Sequence, residues 1–466
     1  MTESTELLDL NPAHRKGLQR KVIRTLITSQ ILSGLGMASG LAVGALLAED
    51  LSGTESLSGL GTTFQVLGGA LIAIPVARVM AARGRRPGLQ LALALALVGS
   101  AIVVTAAVAR SFPLLLVGML LFGGGTSANS QSRYAAADLA LPAQRGRDLS
   151  VVVWATTIGS VLGPNLVGPG QAFARVLGLP ELAGSFVFSL AGFAVAFVVI
   201  NRLLRPDPLL TARALERAER AASAERHTEP AQSVVASPSG HAMEEGAALE
   251  PADGVGQGEL GDGAEDHDGS LTRGLRVVRA NAGARLGVLT IALGHVVMVS
   301  VMVMTPVHMS HGHADLQVIG FVISVHVLGM FAFSPIVGAA VDRWGGRPVA
   351  ATGGAVLTLA AVLASQSMTG WSPLLLVALL LLGIGWSCTL ISGSTMLTSA
   401  VTAQERPATQ GLSEVFMGLA GAGGGAVAGI VVAVYGYGTL AWGAAVVGVV
   451  AIVLVAMTAP HRQPAA

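Results

Sequence analysis

The stretch Pro373 to Gly385, PLLLVALLLLGIG, contains no charged side chain and is part of one of twelve long apolar runs in this 466-residue chain. That feature limits the possible folds more than any other. A bilayer span needs about 20 mostly apolar residues, and inside hydrocarbon each backbone N–H and C=O must be paired within its own segment. Runs of this length lie at 22–48, 55–80, 88–109, 112–138, 149–174, 183–204, 284–309, 315–341, 347–367, 371–400, 408–435 and 438–458. Only 12% of the residues are charged, against about 25% in an ordinary soluble chain. A membrane β-barrel would alternate apolar and polar residues over segments of about 10. AAVVGVVAIVLVAM at 444–457 is apolar all round instead. The expected class is an all-α membrane protein with twelve transmembrane helices.

Lys and Arg resist translocation, so their distribution predicts orientation. Arg15, Lys16, Arg20 and Lys21 precede the first run; Arg83, Arg85 and Arg86 follow the second; Arg145 and Arg147 the fourth; Arg343 and Arg347 the eighth. Arg110 and Arg175 are the exceptions, among Glu49, Asp50, Glu55 and Asp315. Both termini are therefore expected in the cytoplasm, with the chain multi-pass in the cell membrane. The first run, from Val22, is too long for a signal-peptide core of about 7–15 residues, and reads as a retained span. Cys388 is the only cysteine, so no intrachain disulfide or CxxC pair exists, and a small buried residue is its expected role.

The expected organisation is a cytoplasmic N-terminal segment (1–21), a six-helix half (22–204), a cytoplasmic linker (205–282), a second six-helix half (283–458) and a cytoplasmic tail (459–466). Within the linker, 209–226 has a charged helical rhythm. Residues 227–268 hold ten acidic side chains and no Lys or Arg, so this part is expected to be disordered. Arg273, Arg276 and Arg279 recur every third residue, either as a surface-helix face meeting anionic headgroups or as ordinary flanking charge. The halves are similar in sequence. PLLLVGMLLFGGGTS at 113–127 returns as PLLLVALLLLGIGWS at 373–387; ARGRRP at 82–87 as RWGGRP at 343–348; AQRGRDLS at 143–150 as AQERPATQGLS at 403–413. A duplicated six-helix unit with a substrate site between the copies is a common transporter construction.

The stretch GAAVDRWGGR at 338–347 sets Gly338, Asp342, Gly345 and Arg347 at a spacing that resembles the cytoplasmic signature of the major facilitator superfamily. Its Gly turn joins two helices, and its acid can hold a neighbouring helix end or an Arg in one transport state. The first-half copy departs from it: Ala77 and Ala81 replace the leading Gly and the Asp, leaving Arg83, Gly84, Arg85 and Arg86. Either the lock is weaker on that side, or Asp138 or Asp148 supplies it, or the arginines merely anchor the loop at the headgroups. GSVLGPNLVGPG at 159–170 places Gly159, Gly163, Pro164 and Gly168 much as the fifth span of the family's drug:proton antiporters does, with one extra residue and a second proline. Gly159 and Gly163 share a helix face and permit close approach, and Pro164 lacks the donor that would continue the helix. The resemblance implies the major facilitator fold, two pseudo-symmetric halves rocking where spans two, five, eight and eleven meet. Where such exporters often carry Arg in span four, this chain has Met119.

Ionisable groups at membrane depth are costly and functional by default. The mid-depth candidates for a proton are His295 and His326, which could share one; the alternative is two neutral imidazoles hydrogen-bonded between helices. Asp138 and Glu414, towards the cytoplasmic ends, are further proton candidates. Gln30, Gln65, Asn129, Gln131, Asn165 and Trp386 are candidates for the transport pathway. His308, His311 and His313 read as loop histidines rather than a metal site. A phosphate-binding loop needs Lys before Ser or Thr, but Lys16 and Lys21 precede Gly17 and Val22. No enzyme, cofactor, metal or nucleic-acid partner is expected. The expected function is export of small, amphipathic or hydrophobic compounds by proton antiport through alternating access, by a monomer in contact with lipid. A proton symporter or facilitator for a nutrient, or a transporter-like sensor or scaffold, are the alternatives.

Overall fold

A computed structural model describes residues 12–54, 57–228 and 270–458. The stretch expected to be disordered, 227–268, lies outside these residues except for 227–228, which are helical. Nearly everything described is helix. The first half comprises α1 (Pro12–Ser52), α2 (Ser58–Arg83), α3 (Arg85–Val108), α4 (Phe112–Phe122), α5 (Gly124–Ala137), α6 (Arg145–Leu162), α7 (Val167–Val176) and α8 (Ala183–Leu203). Two linker helices follow, α9 (Pro208–Thr228) and α10 (Leu271–Ala280). The second half comprises α11 (Ala282–His311), α12 (Leu316–Phe331), α13 (Ser334–Trp344), α14 (Gly346–Ser365), α15 (Pro373–Ala400) and α16 (Arg406–Met457).

Among the described residues, ten helices are long and apolar enough to cross a membrane, with α4–α5, α12–α13 and α8 with most of α9 each counted as one, and the pair α6–α7, bent by 62°, makes an eleventh. Gly436, at φ 82°, divides α16 into two helical stretches, so the architecture is consistent with twelve spans. The bend between α6 and α7 falls at the proline-containing stretch, where a 3-10 turn covers Pro164–Leu166.

Each half has its own apolar core. Leu26, Leu93, Phe122, Phe186 and Phe193 lie at the centre of the first, and Ile291, Leu357, Leu379, Leu382 and Trp386 belong to the second. A smaller cluster joins Ala137, Leu149 and Val153 of the first half to Val337, Val341 and Ile391 of the second. The duplication is visible in the backbone as well. Gly84 and Gly345, the turn residues between α2 and α3 and between α13 and α14, have φ of 93° and 88°, a region that penalises any Cβ. That shared turn sets the second helix of each repeat against the third.

The linker helices are docked. Leu209 and Ala212 of α9 are buried in the first core. Ser270 caps α10, its Oγ accepting from the Arg273 N–H at 3.2 Å. On the buried side of α10, a Cβ on Gly274 would stand 2.5 Å from the Ala408 carbonyl of α16.

Candidate functional site

The halves meet along two pairs of helices, α6 against α13 and α2 against α16. A Cβ on Gly338 would stand 2.1 Å from Ser150 Oγ, and one on Gly411 would stand 2.6 Å from Ala77 Cβ. Ser334 Oγ donates to the Ser150 carbonyl at 3.1 Å. Asp342 reaches across to the first turn of α6, accepting from the Gly146 N–H at 2.7 Å and the Arg147 N–H at 2.8 Å. These are unpaired donors of a helix N-terminus, where a carboxylate meets both the N–H groups and the positive end of the dipole. All hydrogen bonds between the halves among the described residues lie at this end of the bundle, the face that carries the basic turns.

Behind the Asp342 contact lies a buried layer of charge. Arg85 donates to both oxygens of Asp138 (2.7 and 3.1 Å), to Gln131 Oε1 (3.2 Å) and across the interface to Gln410 Oε1 (2.6 Å). Arg406, from the second half, donates to the Asp138 carbonyl at 3.2 Å and to its carboxylate at 3.4 Å. Gln410 in turn donates to Thr398 Oγ1 at 3.2 Å. One turn or so further in, about 7 Å along a helix, Arg133 of α5 pairs with Glu414 of α16. The Arg133 guanidinium also stands 4.7 Å from the centre of the Tyr134 ring. Removing one member of such a buried pair leaves an uncompensated charge, costing about 3–5 kcal/mol. These contacts therefore hold the two halves together at this face.

The interior residues singled out from the sequence fall into two groups. On the first half, Gln30 donates to Thr156 Oγ1 at 2.9 Å, and Asn129 Oδ1 accepts from Ser33 Oγ at 2.9 Å. Gln65 is buried, and its Oε1, like the Oε1 of Gln30 and the Nε2 of Gln131, has no partner among the described residues. On the second half, Trp386 Nε1 donates to His295 Nδ1 at 3.0 Å, and the Trp386 ring meets Phe331 edge-on at 5.7 Å. Asn165 stands apart: it is exposed, in the 3-10 turn, and donates to the Val161 carbonyl at the end of α6.

His295 and His326 do not bond each other among the described residues. His326 is buried, with Nδ1 2.8 Å from the Leu379 carbonyl, so that nitrogen carries the proton. Trp386 and Leu379 are seven residues apart on α15, about 10 Å, and each histidine is held separately. A single proton shared between them finds no bridge here.

In the fifth span, a Cβ on Gly159 would fall 2.6 Å from the Gly34 carbonyl carbon, and one on Gly163 would fall 2.3 Å from Ala38 Cβ. These two glycines let α6 lie against α1. Gly168 has no such neighbour within 4 Å, so the close approach ends at the bend. Arg347 donates to the Val455 carbonyl at 2.6 Å and to the Thr458 carbonyl at the end of α16. Arg83 is exposed. Asp207 accepts from the Arg85 and Arg86 N–H groups at 3.1 and 2.7 Å. Asp148 instead accepts from Gln19 at 2.6 Å. Sequence reasoning passed over Arg133, Arg406, Arg213 and Glu216. Arg133 was the most findable, since a charged residue inside the run at 112–138 is a signal in itself, 14 residues beyond the Met119 position where an Arg was sought.

Comparison with known proteins agrees with this architecture. The family model described as Major Facilitator Superfamily matches residues 26–313 and 286–466. The chain is 35% identical over 432 residues to the MFS-type transporter YdeG of Bacillus subtilis (strain 168), covering 93% of this chain and 90% of that protein. It is 28% identical over 449 residues to the riboflavin transporter RfnT of Brucella anthropi, covering 93% and 94%. Among solved structures, the human organic anion transporter MFSD10 superposes with a TM-score of 0.66 at 19% identity, over 94% of this chain and 99% of that one. With two similar halves, a layer of charge between them and family matches that together cover residues 26–466, the chain belongs to the Major Facilitator Superfamily and is a membrane transporter, not an enzyme.

Proposed function

We propose that the protein exports small amphipathic or hydrophobic compounds across the cell membrane in exchange for protons, working as a monomer by alternating access. The basic face is the cytoplasmic one, since Lys and Arg resist translocation, and both termini lie on that side. The conformation described is then the one closed to the cytoplasm. The observation that carries the coupling is the buried Arg133–Glu414 pair, which joins α5 of one half to α16 of the other. A proton arriving from the outer side neutralises Glu414, releases Arg133 and lets the cytoplasmic face open. Release of that proton to the cytoplasm and loading of substrate allow the pair to re-form as the halves rock back. His295 and Trp386, with Phe331 behind them, supply an aromatic and hydrogen-bonding wall suited to a flat amphipathic compound. The likeness to a riboflavin transporter supports that class of cargo.

The test is uptake of riboflavin and of an amphipathic fluorescent dye into everted membrane vesicles. Uptake should require an acidic lumen and collapse with an uncoupler. Uptake indifferent to the uncoupler would contradict the coupling.

A further inference from the structure

The two repeats differ at one position that matters for the lock. Asp342 holds the start of α6, but its first-half counterpart, Ala81, has no carboxylate with which to hold the start of α16. Asp138 reaches only the Arg406 side chain there; the acid that takes a backbone N–H near that place comes from the linker. Glu216 of α9 accepts the Ala403 N–H with both oxygens, at 3.3 and 3.1 Å, and stands 3.6 Å from Arg406 Nη2. Three residues earlier on the same helix, Arg213 donates from Nη1 to the Ala81 carbonyl at 2.8 Å and from Nε to the Ala403 carbonyl at 3.4 Å. One linker helix thus ties the end of α2 to the turn before α16.

Three further observations bear on this. Ala403 lies in the turn where Glu405 already takes the Thr402 N–H and hydroxyl, so its own N–H is a donor that the turn does not satisfy. In the charge layer, two guanidinium groups, Arg85 and Arg406, share the single carboxylate of Asp138; Glu216 supplies the second negative charge. Finally, α9 belongs mechanically to the first half. Leu209 and Ala212 are in its core, and Asp207 accepts from Leu209 and Leu210 at the start of α9 as well as from Arg85 and Arg86 at the start of α3. When the halves separate at this face, α9 stays with the first while Ala403 and Arg406 leave with the second.

We propose that α9 is a strap that replaces the acid missing at Ala81: Glu216, steered by Arg213, holds the α2–α16 side of the basic face shut as Asp342 holds the α6–α13 side. Glu216 is a positioning residue. It touches no cargo and acts on the balance between two conformations, so the inference rests on the alternating-access reading. Its grip differs from that of Asp342, which takes two donors of a first helical turn, whereas Glu216 takes one donor three residues ahead of the helix and adds an ion pair.

The test reads the conformational balance directly and needs no substrate. Nitroxide labels at Gln144 and Trp344, both exposed on opposite halves at this face, report its opening by pulsed electron spin resonance in full-length protein in lipid nanodiscs, with Cys388→Ala removing the native thiol. Glu216→Gln keeps the shape and removes the charge, and should shift the closed-to-open ratio towards open by about tenfold, the scale of one lost charge-assisted hydrogen bond. Ala81→Asp added to Glu216→Gln should restore the wild-type ratio, an effect that mere damage to α9 would not allow. Two populations that Glu216→Gln leaves unchanged, or that Ala81→Asp fails to restore, would overturn the strap alone. A single invariant distance in every variant would overturn both the strap and alternating access.

Discussion

Removing the charge of Asp342 should loosen the basic face by a calculable amount. Asp342→Asn keeps the size of the side chain but leaves one acceptor oxygen where the carboxylate offers two, one to Gly146 and one to Arg147. The amide NH2 must then face a backbone N–H. Two charge-assisted hydrogen bonds are exchanged for one neutral bond, a difference of about 2–4 kcal/mol if fully buried. Asp342 is only half-buried, and solvent screening brings the expected loss to about 2 kcal/mol. That is about a thirtyfold change in the ratio of closed to open. The same label pair at Gln144 and Trp344 measures it, alongside transport kinetics. We predict a thirtyfold shift towards the open conformation, with turnover falling more than substrate affinity, because the step lost is closure of this face. An unchanged distance distribution together with unchanged turnover would refute the reasoning that Asp342 acts as a cap across the interface.

Other predictions concern packing, coupling and cargo. Gly163→Leu would force atoms into α1 where a Cβ alone already meets Ala38 at 2.3 Å; transport should be abolished while the protein remains in the membrane, and wild-type flux would contradict the close-packing argument. Glu414→Gln should abolish accumulation driven by a proton gradient while leaving energy-independent exchange of substrate, whereas His326→Gln, which alters a structural bond to Leu379, should keep gradient-driven accumulation and lower thermal stability. Trp386→Ala should weaken apparent affinity for an aromatic cargo by roughly tenfold, the scale of one lost aromatic contact, with little change in maximal rate at saturation. Deleting 229–268 should leave transport intact, and loss of transport in a correctly inserted protein would give that stretch a role in the cycle.

The membrane architecture was legible because its cause is local. A span of about 20 apolar residues declares itself without reference to anything else in the chain, and the repeat of PLLLV and of the Gly–Arg–Pro turns exposed the duplication. The turn at Gly345 and Asp342 was legible as well, since both the tight φ and the acid sit within ten residues. Which donors Asp342 would meet was not, because Gly146 and Arg147 lie some two hundred residues away. The charge layer was legible only in part: Arg85 and Asp138 stood out as possible members of a first-half charge network, whereas Arg406 and Glu216, from two further stretches of the chain, read as flanking charge. The paired histidines show the converse limit. Similar depth on neighbouring spans suggested a shared proton, but depth says nothing of the direction in which a side chain faces. His295 turns to Trp386 and His326 to Leu379.

The central claim is proton antiport, and the sign of the flux tests it. Purified protein in liposomes loaded at pH 6 and diluted into pH 8 buffer, then into the reverse gradient, is presented with riboflavin and an amphipathic dye at equal concentration on both sides. Protons leaving an acidic lumen must draw cargo inward, so the account predicts accumulation in the more acidic compartment, reversing when the gradient is reversed and absent in Glu414→Gln. Accumulation in the alkaline compartment would mean symport, and simple equilibration in either gradient would mean an uncoupled carrier; either contradicts the account.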